Sequence, residues 1–265
     1  MIDGWQGWDQ YAPFYDWENR RTLGRRDVQF WRSLANETDG PVLELGCGTG
    51  RILAPVAAAL RSRAASTAAG VRRVPSIIGI DRSPQMLARA RHRLRRSPVR
   101  LVRGDIRSLP FAHEVFGLVM ASYGILQSLV RDADLAATLA SIARVTIPGG
   151  RLGVDLVPDV PRWAEYRDRV SHTGRGSKGA TLTLRESVEQ DRRRGITTFH
   201  EEYIERRDAV RSVRRFSLTF RTLPVPQMTR RIERAGFAID AVLGDYRGTT
   251  WNPRADVWII LATKK

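Results

Sequence analysis

Hydrophobic and polar positions fall into two textures along the chain. In the first, a compact apolar run, Val42-Leu43-Glu44-Leu45-Gly46, ends in glycines and reads as a buried strand. A helix is predicted from about Gly50 to Arg61, and the Ala, Ser, Gly and Arg rich stretch Ser62 to Ser76 reads as a surface loop. Then come a strand at Ile77 to Ile80, a helix at Pro84 to Arg95 and a strand at Val99 to Val102. Ser83 suits the N-cap of that helix and Pro84 its first position. Phe116 to Ala121 is a fourth strand, Asp132 to Val145 an amphipathic helix, and Arg151 to Leu156 a fifth strand entered through the turn Pro148-Gly149-Gly150. Strands alternating with helices this long need right-handed crossovers, so the fold class is α/β with a parallel sheet.

After Pro161 the texture changes. Thr181 to Glu189, Ile196 to Arg206 and Val213 to Thr222 alternate with a period of two, which predicts an antiparallel sheet with one wet face. A helix at Pro226 to Ala235 and strands at Phe237 to Leu243 and Asp256 to Ala262 close the chain. The N-terminus carries Trp5, Trp8, Tyr11, Phe14, Tyr15, Trp17, Phe30 and Trp31, too irregular for a strand, and reads as a loop and short helix packed over something. The expected organisation is a single domain: a lid over 1–40, a core over 41–160, an antiparallel insertion over 161–225 and the rest of the core over 226–265.

At 265 residues, 42% hydrophobic, the chain can bury a sizeable core. No window approaches the roughly 20 apolar residues of a membrane span, and the N-terminus lacks a signal-peptide pattern, so a cytoplasmic protein with no membrane partner is expected. A single cysteine, Cys47, excludes an intramolecular disulfide and does not make a zinc site; it reads as a small packing residue. The net charge is +16, and 41 of the 44 basic residues are arginines. They occur throughout the chain, which reads as an arginine-preferring composition with solvated faces; an anionic partner would require them to cluster in space.

The most informative segment is Glu44-Leu45-Gly46-Cys47-Gly48-Thr49-Gly50, a glycine turn between a buried strand and a helix. Glycines there permit positive φ and close backbone approach, beside the unpaired N–H groups of a helix N-terminus. Gly46, Gly48 and Gly50 lie two apart, unlike the G-x-G-x-x-G pyrophosphate cradle, which argues against NAD and FAD. Ile78-Gly79-Ile80-Asp81 ends a strand in a carboxylate suited to the two hydroxyls of a ribose. Gly104-Asp105-Ile106 offers an acceptor for an exocyclic amine beside an apolar side chain.

These three segments, in this order, resemble the class I S-adenosylmethionine-dependent methyltransferases over roughly Val42 to Leu156 and the closing hairpin. The resemblance implies a Rossmann-like, doubly wound, mostly parallel seven-stranded sheet with a reversed C-terminal hairpin and a small antiparallel β insertion. It implies S-adenosyl-L-methionine as cofactor, with Gly46, Gly48 and Gly50 along its methionine part and Glu44 supporting that loop. Asp81 would take the ribose, Met86 would pack near the adenine, and Asp105 with Ile106 would hold it; Ser122 and Tyr15 are also expected at the cofactor. In one respect the sequence departs from the family: Gly50 and Asp81 lie 31 residues apart, longer than usual, an excess assigned to the loop 62–76.

The acceptor pocket is expected from Ser122-Tyr123-Gly124-Ile125-Leu126-Gln127, which lacks the Asn/Asp-Pro-Pro-aromatic pattern of enzymes that methylate base or glutamine amines. Asp155 and Val157-Pro158-Asp159 are further candidates for it, with a capping or turn role as the alternative. The insertion resembles the cap of small-molecule N-methyltransferases, with Tyr11 and Tyr15 as lid residues. His200, Glu201, Glu202 and Tyr203 must alternate between its faces, so Tyr11, Tyr123, Gln127, Asp155 and His200 are acceptor-side candidates. His113 and His172 read as exposed loop residues. Methyl transfer needs alignment more than acid or base, so no catalytic residue is assigned and no metal is expected. The leading expectation is transfer to nitrogen or oxygen of a small molecule. The alternatives are an RNA or protein methyltransferase docking through its basic surface, and a non-catalytic S-adenosylmethionine binder.

Overall fold

A computed structural model describes residues 7–22, 26–65, 74–156, 164–176, 179–255 and 257–265. Helices α1 (Trp8–Asn19) and α2 (Val28–Asn36) precede β1 (Val42–Leu45), α3 (Leu53–Ala65), β2 (Ile77–Asp81), α4 (Pro84–Arg93), β3 (Val99–Arg103) and β4 (Phe116–Ala121). A 3₁₀ turn over Ile125–Ser128 leads to α5 (Asp132–Val145) and β5 (Thr146–Leu156). Four long strands follow: β6 (Tyr166–Arg175), β7 (Thr181–Asp191), β8 (Ile196–Arg207) and β9 (Val210–Arg221). Last come α6 (Val225–Arg234), β10 (Phe237–Leu243) and β11 (Trp258–Lys264).

The main sheet runs β10-β11-β5-β4-β1-β2-β3, parallel except for β11, which is antiparallel to both β5 and β10. From β1 the chain winds outward through β2 to β3, then returns to place β4 on β1's other side. Crossover connections therefore diverge between β1 and β4, and a crevice opens beyond the carboxyl ends of those strands. β1 and β4 are buried along their whole length, as continuous apolar runs require. One face packs on α5 and α6 through Leu135, Ile142 and Ile232, the other on α2, α3 and α4 through Trp31, Val56 and Leu87.

Several elements differ from the sequence reading. The N-terminus forms two helices instead of one, Trp5 lying outside the described residues. The helix after the glycine turn starts at Leu53 and runs to Ala65, shortening the expected loop, whose residues 66–73 lie outside the described set. Pro148-Gly149-Gly150 is an excursion within β5, since Thr146 faces Phe116 and Arg151 faces Leu118. The insertion has four strands, ordered β6-β7-β8-β9; β6 went unseen because it is mostly exposed and slips register twice against β7, so it shows little apolar alternation. His172 lies on β6 with its ring against Trp17, and so is not in a loop; His113 is exposed between β3 and β4.

Helix α1 lies against the inner face of this second sheet. Phe14 stacks on Tyr203 at 4.0 Å between ring centroids, and Tyr203 on Phe216 at 5.6 Å, so the aromatic N-terminus and the cap share one apolar cluster. Among the described residues no helix is long and apolar enough to cross a membrane. Trp31 of α2 is wholly buried over Gly153 of β5, where an added Cβ would lie 2.9 Å from its ring. Trp31→Ala is expected to cost about 3 to 5 kcal/mol of stability, read as a lower urea midpoint at unchanged slope.

Candidate functional site

A cleft of about 450 Å³ sits at the carboxyl edge of β1, β2, β3 and β4, with α1 across it. The glycine turn forms its floor. Gly46, Gly48 and Gly50 have φ of +58°, +52° and +74°, values that L side chains rarely adopt. A Cβ on Gly48 would meet nothing closer than the Tyr15 ring and hydroxyl at 3.8 Å, so this residue opens its backbone to the cleft. Gly46 lines the cleft too, tight against Ile125. Gly50 does not: its space is taken by Leu94 and Ala90, so its glycine serves helix packing, and its expected place at the cofactor is corrected.

Asp81 ends β2 at the cleft and holds the turn from the side, accepting from the Gly48 N–H and the Ser83 N–H, each at 2.8 Å. Burial pushes its pKa up, and those two backbone donors pull it back. Ser83 caps α4, its Oγ accepting from Met86 N at 3.1 Å, which sets the buried Met86 on the cleft wall. Glu44 of β1 is almost wholly buried; its Oε1 accepts from Ser122 Oγ at 2.7 Å and its Oε2 has no partner. Burial raises this carboxyl to about 8. Asp105 lies on the wall with Ile106, and hydrogen bonds from the Arg107 guanidinium hold its pKa below the usual carboxylate range.

Beyond β4, Tyr123 and Gly124 both take left-handed backbone, φ +58° and +65°. For tyrosine that is a strained conformation. It is secured from behind by Asp155, which accepts from Gly124 N and the Tyr246 hydroxyl, each at 2.9 Å, and which burial raises to about 6. Tyr123 and Ser122 face the cleft; Asp155 does not, so it positions the turn. Val157-Pro158-Asp159 lie outside the described residues.

Three other acceptor-side expectations are corrected. Gln127 is buried on the far side of the 3₁₀ turn, beside Leu135 and Trp258. His200 is exposed on the outer face of β8, its ring nitrogens directed at Ser217 and Glu189, while its neighbours Glu201 and Tyr203 point inward. Tyr11 is buried between α1 and the cap, edge-on to Tyr15, which does line the cleft. Period-two alternation separates two faces without saying which is covered.

Other cleft residues were not foreseen. Arg51, directly after the glycine turn, makes a bidentate pair with the fully buried Asp27 at 2.8 and 2.6 Å and lies 5.3 Å from the Tyr123 ring. Its position beside the turn was a usable signal; Asp27, 24 residues upstream, was not. On α1, Trp8, Asp9 and Gln10 line the mouth, Asp9 accepting from Ser83 Oγ. Asp16 latches the same helix to Thr49 at 2.8 Å and to Arg93 at 2.8 Å. Among the described residues no group of three or more metal-ligating side chains occurs.

An acidic floor, a donor-rich glycine turn and a carboxylate-ended second strand at the β1/β4 crevice define the class I S-adenosylmethionine-dependent methyltransferase fold. Residues 42–150 match the methyltransferase domain family. Among curated relatives are the demethylmenaquinone methyltransferases of Thermus thermophilus and Corynebacterium kroppenstedtii. The first is 32% identical over 58% of this chain and 66% of its own length, the second 34% over 55% and 56%. The matches thus span about half to two thirds of those relatives. Among solved structures, an S-adenosylmethionine-dependent methyltransferase from Clostridium acetobutylicum superposes with a TM-score of 0.77 at 13% identity, covering 96% of this chain and 99% of its own. An S-adenosylmethionine-bound amino pentose methyltransferase from Micromonospora echinaspora gives 0.70 at 21%, covering 95% and 97%.

The site suits a ligand with a positive sulfur and ammonium, a carboxylate and a ribose: buried Glu44 has an oxygen without a partner, Gly48 leaves room at the backbone, and Arg51 supplies a cation. The folded protein keeps the Glu44 proton up to about pH 8, whereas an unfolded chain releases it near 4.5. The native state therefore binds more protons between these values, and ligand-free stability falls as pH rises through that window. Glu44→Gln is expected to flatten this fall in thermal melts. It is also expected to remove a gain in affinity for the cationic cofactor as pH rises past about 8, read by calorimetry.

Proposed function

We propose that this chain transfers the methyl group of S-adenosyl-L-methionine to a nitrogen or oxygen of a small-molecule acceptor. The observation that carries this reading is the single cleft formed by Gly46, Gly48, Glu44, Asp81 and Asp105 and roofed by α1. In it Asp81 would receive the ribose hydroxyls, Asp105 and Ile106 the adenine with Met86 beside them, and the Gly46–Gly48 backbone with Glu44 the methionine part. The cofactor supplies an electrophilic methyl on a sulfonium. The chain's own residues align it, remove water and fix the acceptor on the side of Tyr123, Tyr15 and Ser122.

Two features support a small acceptor. The cleft mouth is bordered by Trp8, Asp9 and Gln10 of α1 and by Phe220 of β9, which together shape a pocket of about 450 Å³, the size of a small molecule. The superposition on the amino pentose methyltransferase extends over nearly the whole chain, cap included, and supports an acceptor of that size. The demethylmenaquinone methyltransferases support the same methyl-transfer chemistry through the core.

Asp81→Asn is expected to weaken S-adenosylmethionine binding by about 1 to 3 kcal/mol in calorimetry, the scale of lost hydrogen bonds to a charged acceptor. Gly48→Val, whose side chain enters the cleft from a left-handed backbone, should abolish binding while the far-ultraviolet circular dichroism stays native; retained affinity in either variant contradicts the assignment. Incubation with methyl-labelled cofactor and extract separates turnover from simple binding: label on a small molecule supports transfer, and label on no acceptor rejects it.

A further inference from the structure

The arginines are not evenly spread, contrary to the sequence-based expectation. Residues 45–104 contain thirteen of them and one acid, Asp81, so this stretch supplies +12 of the +16 net charge, leaving only +4 for the other 205 residues. A uniform compositional preference does not produce that division. Arg72 and Arg73 lie outside the described residues; of the rest, those on and just after α4 and on β3 share one side, and β3 is the last strand of the main sheet, so much of this charge gathers on one edge.

Three of the thirteen are spoken for: Arg51, Arg63 and Arg93 reach Asp27, Asp39 and Asp16. Six others, Arg89, Arg91, Arg95 and Arg96 on and just after α4 with Arg100 and Arg103 on β3, are exposed and make no ion pair among the described residues. Arg61 of α3 donates to the Arg96 carbonyl at 3.2 Å, bringing a further guanidinium to the same edge. Like charges spaced four apart on a helix, as at Arg89 and Arg93 of α4, repel and cost stability. One or two charges suffice to protect an edge strand from pairing; this edge holds several more.

We propose that this edge is a docking face for the phosphate backbone of double-stranded nucleic acid. The reading goes beyond methyl transfer and does not depend on it. Planar guanidinium forks match phosphate oxygens in paired hydrogen bonds, and residues 45–104 contain no lysine, so the charge on the face is carried by arginine. No aromatic side chain lies between Arg82 and Arg103, so the face lacks the stacking platforms that single strands require. Among the described residues the two exposed large apolar side chains, Val170 and Val210, both belong to the cap, so the described part of this edge has none of the apolar anchors that seat a helix in a lipid surface. What remains is backbone recognition by charge, independent of sequence.

The test is fluorescence anisotropy of a labelled RNA duplex and a DNA duplex of mixed sequence against the full chain over a range of salt. Wild-type protein should bind both with an affinity that falls steeply as salt rises. The triple variant Arg89→Glu, Arg96→Glu, Arg100→Glu should lose about tenfold or more, with the log–log salt slope reduced by roughly 3. A control triple on the cap, Arg167→Glu, Arg192→Glu, Arg211→Glu, carries the same net charge and should retain most of the affinity and slope. Matching thermal melts establish that both triples are folded. Equal losses in the two triples would reduce the effect to net charge and overturn the proposal. So would no duplex binding at physiological salt, or binding only to phosphatidylglycerol vesicles.

Discussion

The hydrogen bonds that Asp81 accepts from Gly48 and Ser83 are the constraint on which the rest of the site depends. In the glycine turn, where φ is positive at three alternate residues, the Cys47 N–H donates to the Ile80 carbonyl and the Gly50 N–H to the Cys47 carbonyl, which leaves the Gly48 N–H for a side chain to accept. One carboxylate at the tip of β2 does this for the glycine turn after β1 and for the first turn of α4. Register makes it possible, since Leu45 pairs with Ile80 and the two strand tips end side by side. The Gly48 bend of the cleft floor and the Ser83 N–H at the start of α4 are thus held by a single side chain. A ligand there meets a pre-formed edge.

A second layer of buried acids holds the roof. Tyr203 of the cap donates its hydroxyl to Glu18 at the end of α1, and Glu201 lies beside them with one oxygen lacking a hydrogen-bond partner. Burial pushes both carboxyls above their ordinary value, so this junction is a place where the folded chain retains protons. The aromatic stack of Phe14, Tyr203 and Phe216 keeps water from them. Lid and cap are therefore one unit, joined to the core through Asp9 and Asp16 on α1.

Much of this was legible in the sequence where a single force decides. β4 and α5 occupy the ranges that apolar patterning gives, because β4 is buried along its length and α5 on one side. The glycine turn and the Asp81 strand tip were legible because only a few residue types tolerate those geometries. Strand β6 was not, because its polar side chains pair without burying much. His200 and Gln127 were misplaced, since a period places residues on faces but not the faces in space. Gly50 was legible as a left-handed residue yet not as one turned toward Leu94, and Arg51 lacked its partner until Asp27 came into view.

A basic edge and an acidic cleft coexist in one small molecule because charge acts over a limited range in water. At about 0.1 M salt, exposed charges are largely screened beyond roughly 10 Å, so arginines around α4 and β3 act on what approaches from solvent. Arg82 is the last of the causes that lower Asp105, and no edge arginine figures among those that set Glu44, whose proton is governed by burial, Ser122 and Arg51. Arg82 and Arg103 also line the cleft, so the basic edge runs up to its wall, while Arg89, Arg91, Arg95, Arg96 and Arg100 lie outside it and carry their charge to the solvent.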